Sequence, residues 1–72
     1  MTKADTLSVR INGEQRHVIA GSTIAALVAE IGFDPARVAV ERNLEIVPRS
    51  TLAAVAVADG DAYEIVHFVG GG

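Results

Sequence analysis

Cysteine is absent from the 72-residue sequence. That excludes disulfides, thiolate metal sites and any thiol or persulfide carried on a side chain. No apolar run approaches the length of a membrane span. The opening stretch Met1-Thr2-Lys3-Ala4-Asp5-Thr6 is polar and lacks the apolar core of a signal peptide, so a cytoplasmic protein is expected. His17 and His67 stand far apart, with no carboxylate at ligand spacing, so no metal site is expected. Basic residues are outnumbered: six Lys and Arg against nine Asp and Glu give a net charge of -3. This balance argues against nucleic acid and for basic protein partners. There is no internal repeat. Half of the residues are apolar, which excludes disorder by composition. A chain of this length makes one domain, spanning 1–72, with a small core.

Against these absences stands one concentration, the run Gly70-Gly71-Gly72 behind the apolar stretch Tyr63-Glu64-Ile65-Val66-His67-Phe68. Glycine has no Cβ and loses the most entropy on ordering, so a slim and mobile tail (70–72) is expected. Three extended residues reach roughly 10 Å. Such a tail suits delivery of a terminal carboxylate into a narrow active site on another protein. By composition alone it could equally be a frayed end or the stub of a linker.

The remaining pattern is a small α+β domain. Leu7-Ser8-Val9-Arg10-Ile11 alternates with period 2, the mark of a half-buried strand. Asn12-Gly13 is a hairpin signal, because a type I′ turn needs positive φ at both central residues. Glu14 to Ile19 is then the second strand, with Ile11 facing Glu14, Val9 facing Arg16 and Leu7 facing Val18. Only the last pair is apolar on both sides, so the turn end is expected to project past the core into water. Ser22 or Thr23 is placed to cap a helix. Ile24, Leu27, Val28 and Ile31 form one apolar stripe along it, Gly32 ends it and Phe33 packs near that end. Val38 to Arg42 reads as a third strand, Asn43 as a turn, and Leu44 to Val47 as a short fourth strand stopped by Pro48. Thr51 to Val57 is ambiguous: a helical turn capped by Ser50 and then loop is expected, with an alternating strand as the other reading. Asp59-Gly60-Asp61 is a turn, and Ala62 to Phe68 is the last strand.

That strand has two faces. Tyr63, Ile65, His67 and Val69 share one, and Glu64, Val66 and Phe68 the other. If the first meets the helix, Val66 and Phe68 lie exposed beside the tail. An apolar patch there is a candidate docking surface. Val69, at the base of the tail, joins it, and Glu64 could meet a basic partner. Asp59 and Asp61 resemble a paired acid, but turn formation accounts for them better. His67 reads as a packing residue. Arg49 could touch a partner carboxylate or simply solvate the bend at Pro48.

Asn43-Leu44-Glu45-Ile46-Val47-Pro48-Arg49, Asp59-Gly60-Asp61-Ala62-Tyr63-Glu64-Ile65-Val66 and the ending His67-Phe68-Val69-Gly70-Gly71-Gly72 together resemble the ThiS family of sulfur carriers in thiamine biosynthesis. The resemblance covers Thr6 to Gly72. It implies a ubiquitin-like β-grasp fold, with a mixed sheet of four to five strands on one helix and the last strand central and parallel to the first. It implies that a ThiF-like adenylating enzyme, using ATP and Mg²⁺, activates the carboxylate of Gly72. Sulfur drawn from cysteine through a desulfurase then converts it to a thiocarboxylate, which supplies a ThiG-like thiazole synthase. Gly70 and Gly71 provide reach. The chain itself would bind no cofactor and would be a carrier, not an enzyme. Two other readings share the tail: the small subunit of molybdopterin synthase, which typically has a proline-rich approach that His67-Phe68-Val69 lacks, and a ubiquitin-like modifier joined to lysines. One departure concerns Thr51-Leu52-Ala53-Ala54, where many family members carry a large residue.

Overall fold

The computed structural model describes residues 5–68. Strands β1 (Thr6–Ile11) and β2 (Glu14–Ile19) form the antiparallel hairpin. Asn12 and Gly13 take φ values of 51° and 88°, the positive pair that a two-residue type I′ turn requires. The pairing is Leu7 with Val18, Val9 with Arg16 and Ile11 with Glu14, as the loop length dictates.

The expectation for the turn end is corrected. Val9 and Ile11 do not project into water; both are buried. The reason is a second neighbour on the far side of β1. Strand β5 (Ala62–His67) runs parallel to it and sets Tyr63 beside Ile11. The edge strand β2 alone behaves as expected, with every residue except Val18 exposed.

Helix α1 (Ile24–Glu30) is capped by Thr23, whose Oγ1 accepts the Ala26 N–H at 3.1 Å. Ser22, the other candidate, donates its hydroxyl to the Ile19 carbonyl instead. Ile24, Leu27 and Val28 are buried, and Ile31 packs against the core from its edge. Gly32, at φ 99°, ends the helix: its N–H reaches the Ala29 carbonyl and the Phe33 N–H reaches that of Val28. This double closure is a Schellman motif, which needs a left-handed residue at that place. Seven residues are too few for a stable isolated helix, so the sheet holds it. Asp34 then caps a turn of 3-10 helix, Pro35–Arg37.

Strands β3 (Val38–Arg42) and β4 (Glu45–Val47) make the second hairpin. Here the expected start of β4 at Leu44 is corrected. Arg42 pairs with Glu45, so Asn43 and Leu44 are the two central turn residues, at φ 52° and 73°. A bulky residue in the left-handed region is strained by about 1–2 kcal/mol. Tight closure of the hairpin imposes this on Leu44, whose side chain is 88% exposed.

The ambiguous stretch after Pro48 is a turn of 3-10 helix, Arg49–Thr51, followed by loop. Ser50 is not its cap. It lies within the turn, which follows Pro48 directly, and the Thr51 hydroxyl closes on the Pro48 carbonyl at 2.8 Å. The loop then brings Ala56 to a single bridge with Thr23 and buries Leu52 and Val57.

The sheet order is β2-β1-β5-β3-β4. The last strand is thus central, parallel to β1 and antiparallel to β3. One face carries Val9, Ile11, Val38, Val40, Tyr63 and Ile65 into a core with α1. Each fully buried aliphatic side chain there contributes about 1.5–3 kcal/mol. The other face is open.

Candidate functional site

The two faces of β5 fall as the alternation predicts. Tyr63 and Ile65 are buried against α1. His67 is half-buried and packs: its ring stacks on Phe33 with centroids 4.8 Å apart and planes 9° from parallel. On the open face Glu64 is exposed, Val66 is 56% exposed and Phe68 is 50% exposed. These three docking candidates therefore share one surface. Val69, Gly70, Gly71 and Gly72 lie outside the described residues.

The neighbouring strands add residues that sequence reasoning missed. Ala39 lies directly across from Val66, Glu41 across from Glu64, and Ile46, 77% exposed, across from Glu41. The alternation of Val38-Ala39-Val40-Glu41 carried the signal, but it becomes readable only once β3 is known to lie beside β5. Glu41 and Glu64 are like charges in direct opposition, an unfavourable pairing in a sheet. Among the described residues the ion pairs are Arg37 with Asp34 and Arg42 with Asp61, so neither glutamate is in one. Toward β3 and β4 the open face is thus apolar and acidic at once, while the exposed Arg10 of β1 lines the same hollow as Glu41 and Glu64.

Beneath this surface, β5 is anchored at its start by the Asp59-Gly60-Asp61 turn. Asp59 Oδ1 accepts the Ser8 N–H at 2.8 Å, the Gly60 N–H reaches the Ser8 carbonyl, and the Arg10 N–H reaches the Asp61 carbonyl. Asp61 then turns inward. Its carboxylate accepts the Tyr63 hydroxyl at 2.7 Å, the Ala58 N–H at 3.0 Å and the Asn43 side-chain N–H at 3.1 Å, with the Arg42 guanidinium 3.7 Å away. Burial pushes the Asp61 pKa up, but the hydrogen bonds from Tyr63, Ala58 and Asn43, with Arg42, outweigh it and hold it below the ordinary value. Burial first, and then the Asp61 carboxylate, push the Tyr63 hydroxyl well above its own range. Both aspartates therefore build the turn and its anchor, as the turn reading requires.

The remaining candidates sit apart from this surface. Arg49 is exposed at the rim of an apolar groove of about 530 Å³ on the helix side, with Ala25, Pro35, Ala36, Leu52 and Ala53. Of the departure at 51–54, Leu52 and Ala53 line that groove. His17 is exposed on the edge strand β2. No group of three or more His, Asp or Glu among the described residues could hold a metal ion. What the arrangement offers is a central strand that presents apolar and acidic side chains on its open face just before the glycines in sequence.

A five-stranded mixed sheet packed on one helix, with the final strand at its centre, defines a ubiquitin-like β-grasp domain. A designed protein based on a human ubiquitin template shares this fold, with a TM-score of 0.53 at 14% identity over 94% of this chain and 96% of that one. Within that class, the chain belongs to the ThiS family, whose model matches residues 9–72. It is 46% identical over 50 residues to the sulfur carrier protein ThiS of Bacillus subtilis, covering 69% of this chain and 76% of that protein. The crystal structure of the thiamine biosynthesis protein ThiS from Geobacter metallireducens superimposes with a TM-score of 0.70 at 30% identity, over 92% of this chain and all of that one. A thiazole synthase of Paramagnetospirillum magneticum is 61% identical over 62 residues, 86% of this chain. The chain spans only 19% of that relative's length, and 20% of a similar thiazole synthase from Magnetococcus marinus.

Proposed function

We propose that this domain is the sulfur carrier of thiamine biosynthesis and that the carboxylate of Gly72 is the group that carries the sulfur. The observation that bears most weight is the ThiS-family match, which runs through the last glycine. A carboxylate is a poor electrophile. A ThiF-like adenylating partner, holding ATP and Mg²⁺, makes it reactive: a carboxylate oxygen attacks the α-phosphorus and pyrophosphate leaves. A persulfide that a desulfurase draws from cysteine then attacks the acyl carbon and displaces AMP. A free thiol cleaves the resulting acyl disulfide, leaving one sulfur on Gly72 and carrying the donor's sulfur away as a disulfide. The product is a C-terminal thiocarboxylate. The likeness to proteins named thiazole synthase supports thiazole synthase as the acceptor. The chain supplies no acid, base or cofactor to these steps, so it is a co-substrate and not an enzyme. The loading step draws on ATP, which supports a cytoplasmic setting for it.

In this reading Gly70 and Gly71 pass through the partner's channel, and Glu64, Val66, Phe68 and Val69 dock outside it. The Phe68→Ala variant should leave the melting temperature nearly unchanged, because an exposed side chain contributes within about 0.5 kcal/mol. It should weaken affinity for the adenylating partner about tenfold, the scale of an interface anchor. Calorimetric titration and thermal unfolding check this. A collapsed melting temperature with unchanged affinity would make Phe68 a packing residue.

The function itself is tested by incubating the protein with the adenylating enzyme, ATP, a desulfurase and cysteine, alkylating with a thiol reagent and locating the adduct by fragment mass. The absence of cysteine leaves one place for a sulfur nucleophile. An alkyl group on Gly72 establishes the carrier. An adenylated terminus that never takes sulfur points to a protein modifier instead. No activation at all rejects both.

A further inference from the structure

Two asparagines, both in hairpin turns and both left-handed, grip β5 from opposite sides. Asn43, at φ 52°, accepts the Ala62 N–H on its side-chain oxygen at 3.0 Å while its own N–H reaches the Ala62 carbonyl. Asn12, at φ 51°, does more. Its N–H reaches the Tyr63 carbonyl at 2.9 Å. Its side-chain Oδ1 accepts the Ile65 N–H at 2.8 Å, and its Nδ2 donates to the Ile65 carbonyl at 3.1 Å. The side-chain amide thus stands in for a peptide group and adds one rung to the parallel ladder after β1 has turned away. The backbone register between β1 and β5 stops at Ile11 with Tyr63. Beyond Ile65, no strand flanks β5 on that side among the described residues. There the chain is set on its other side by β3, which pairs Ala39 with Val66 and Val38 with His67, by the Arg37 carbonyl, which accepts the Phe68 N–H at 2.8 Å, and by the Phe33 ring on His67.

We propose that Asn12 is a positioning residue for the carrier: its side-chain rung on Ile65 sets the point and direction from which β5 delivers the C-terminal glycines to the sulfur-loading partner. This rests on the sulfur-carrier reading above. Without the rung, the last β1-side hold on β5 retreats to Tyr63. The segment Ile65 to Phe68, which carries Val66 and Phe68, keeps its β3 pairing but among the described residues is then held on the β1 side by the Phe33–His67 stack alone. The partner must select the aligned conformer from a broader set, which lowers apparent affinity by the fraction misaligned. Chemistry at Gly72, once bound, is untouched.

Asn12→Gly is the informative variant. Glycine keeps the positive φ of the turn, and Gly-Gly is an accepted type I′ pair, so the substitution removes the amide and spares the hairpin. Thr23→Ala, which loses the cap of α1 and no hydrogen bond to β5, controls for a general loss of stability. Amide hydrogen exchange at Ile65 should quicken roughly tenfold in Asn12→Gly, the worth of a net hydrogen bond or two. Pyrophosphate release by the adenylating enzyme should show a raised KM for the carrier with kcat retained, while Thr23→Ala keeps the native KM. Unchanged exchange at Ile65, an unchanged KM, or an equal rise in both variants overturns the positioning role. If the native protein releases no pyrophosphate, the carrier reading falls and the positioning role falls with it.

Discussion

Replacing Asp61 with alanine is expected to destabilise the domain by about 3 kcal/mol, because one carboxylate satisfies three donors and its loss strands them together. Asp61 is the one buried charged residue among the described residues, 7% exposed. Without it the Tyr63 hydroxyl, 2% exposed as a residue, has no acceptor, and the Ala58 N–H and the Asn43 side-chain N–H lose theirs. The Arg42 guanidinium keeps a hydrogen bond to the Ala56 carbonyl, so it is only partly orphaned. A domain of this size holds roughly 4–10 kcal/mol in total. Each kcal/mol is worth about 4–8 °C, so the melting temperature should fall by more than about 10 °C. Calorimetry checks this. A change of only a degree or two would mean that water replaces the carboxylate and that the network is peripheral.

The same carboxylate sets an acid limit, and the sign follows from its direction of shift. The folded pKa lies below the ordinary 3.8. The contribution is therefore complete above that value and is lost as pH falls through the lower, folded one. The native protein should lose stability below about pH 4, and Asp61→Asn should show a flatter curve over the same range. Tyr63, shifted upward, stays a protonated donor throughout.

These two residues also show what a sequence can and cannot disclose. Asp59-Gly60-Asp61 is readable as a turn, since glycine at φ 88° needs no partner to announce it. That the second aspartate turns inward depends on Tyr63, Asn43 and Arg42 arriving from β5 and β3, and no local pattern records that meeting. The hairpin register, the helix stripe, the Gly32 stop and the two faces of β5 are all local properties, and they stand as read. The burial of Val9 and Ile11 is not legible locally, because burial depends on both neighbours of a strand, and the parallel partner β5 is more than fifty residues away in sequence. The turn position of Leu44 is hidden in the sequence, because leucine seldom accepts positive φ. Only the Arg42–Glu45 pairing forces it into the turn. Asn12 announces its turn locally, and its second role exists only where Ile65 lies alongside.

Removing Gly71 and Gly72 should abolish sulfur loading and leave the domain folded. The five strands, α1 and the buried core are all drawn from residues 6–67, so the melting temperature should match that of the native protein. The chemistry needs something else. Shortening the chain by two residues withdraws its end by roughly 7 Å. A displacement of about 1 Å at a reacting centre can already cost a hundredfold in rate, because the effective molarity of an aligned pair is lost. The truncated protein should therefore still dock through Val66 and Phe68 and bind the adenylating partner with near-native affinity, yet release no pyrophosphate and gain no alkylatable sulfur. It should also compete with the native carrier. Replacing Gly71 with alanine makes the complementary case: length is kept, and a Cβ is added where the chain must be thinnest. Loading should fall steeply there too. Truncated protein that still takes sulfur would move the reacting group off the terminus, and no side chain in this cysteine-free sequence could receive it.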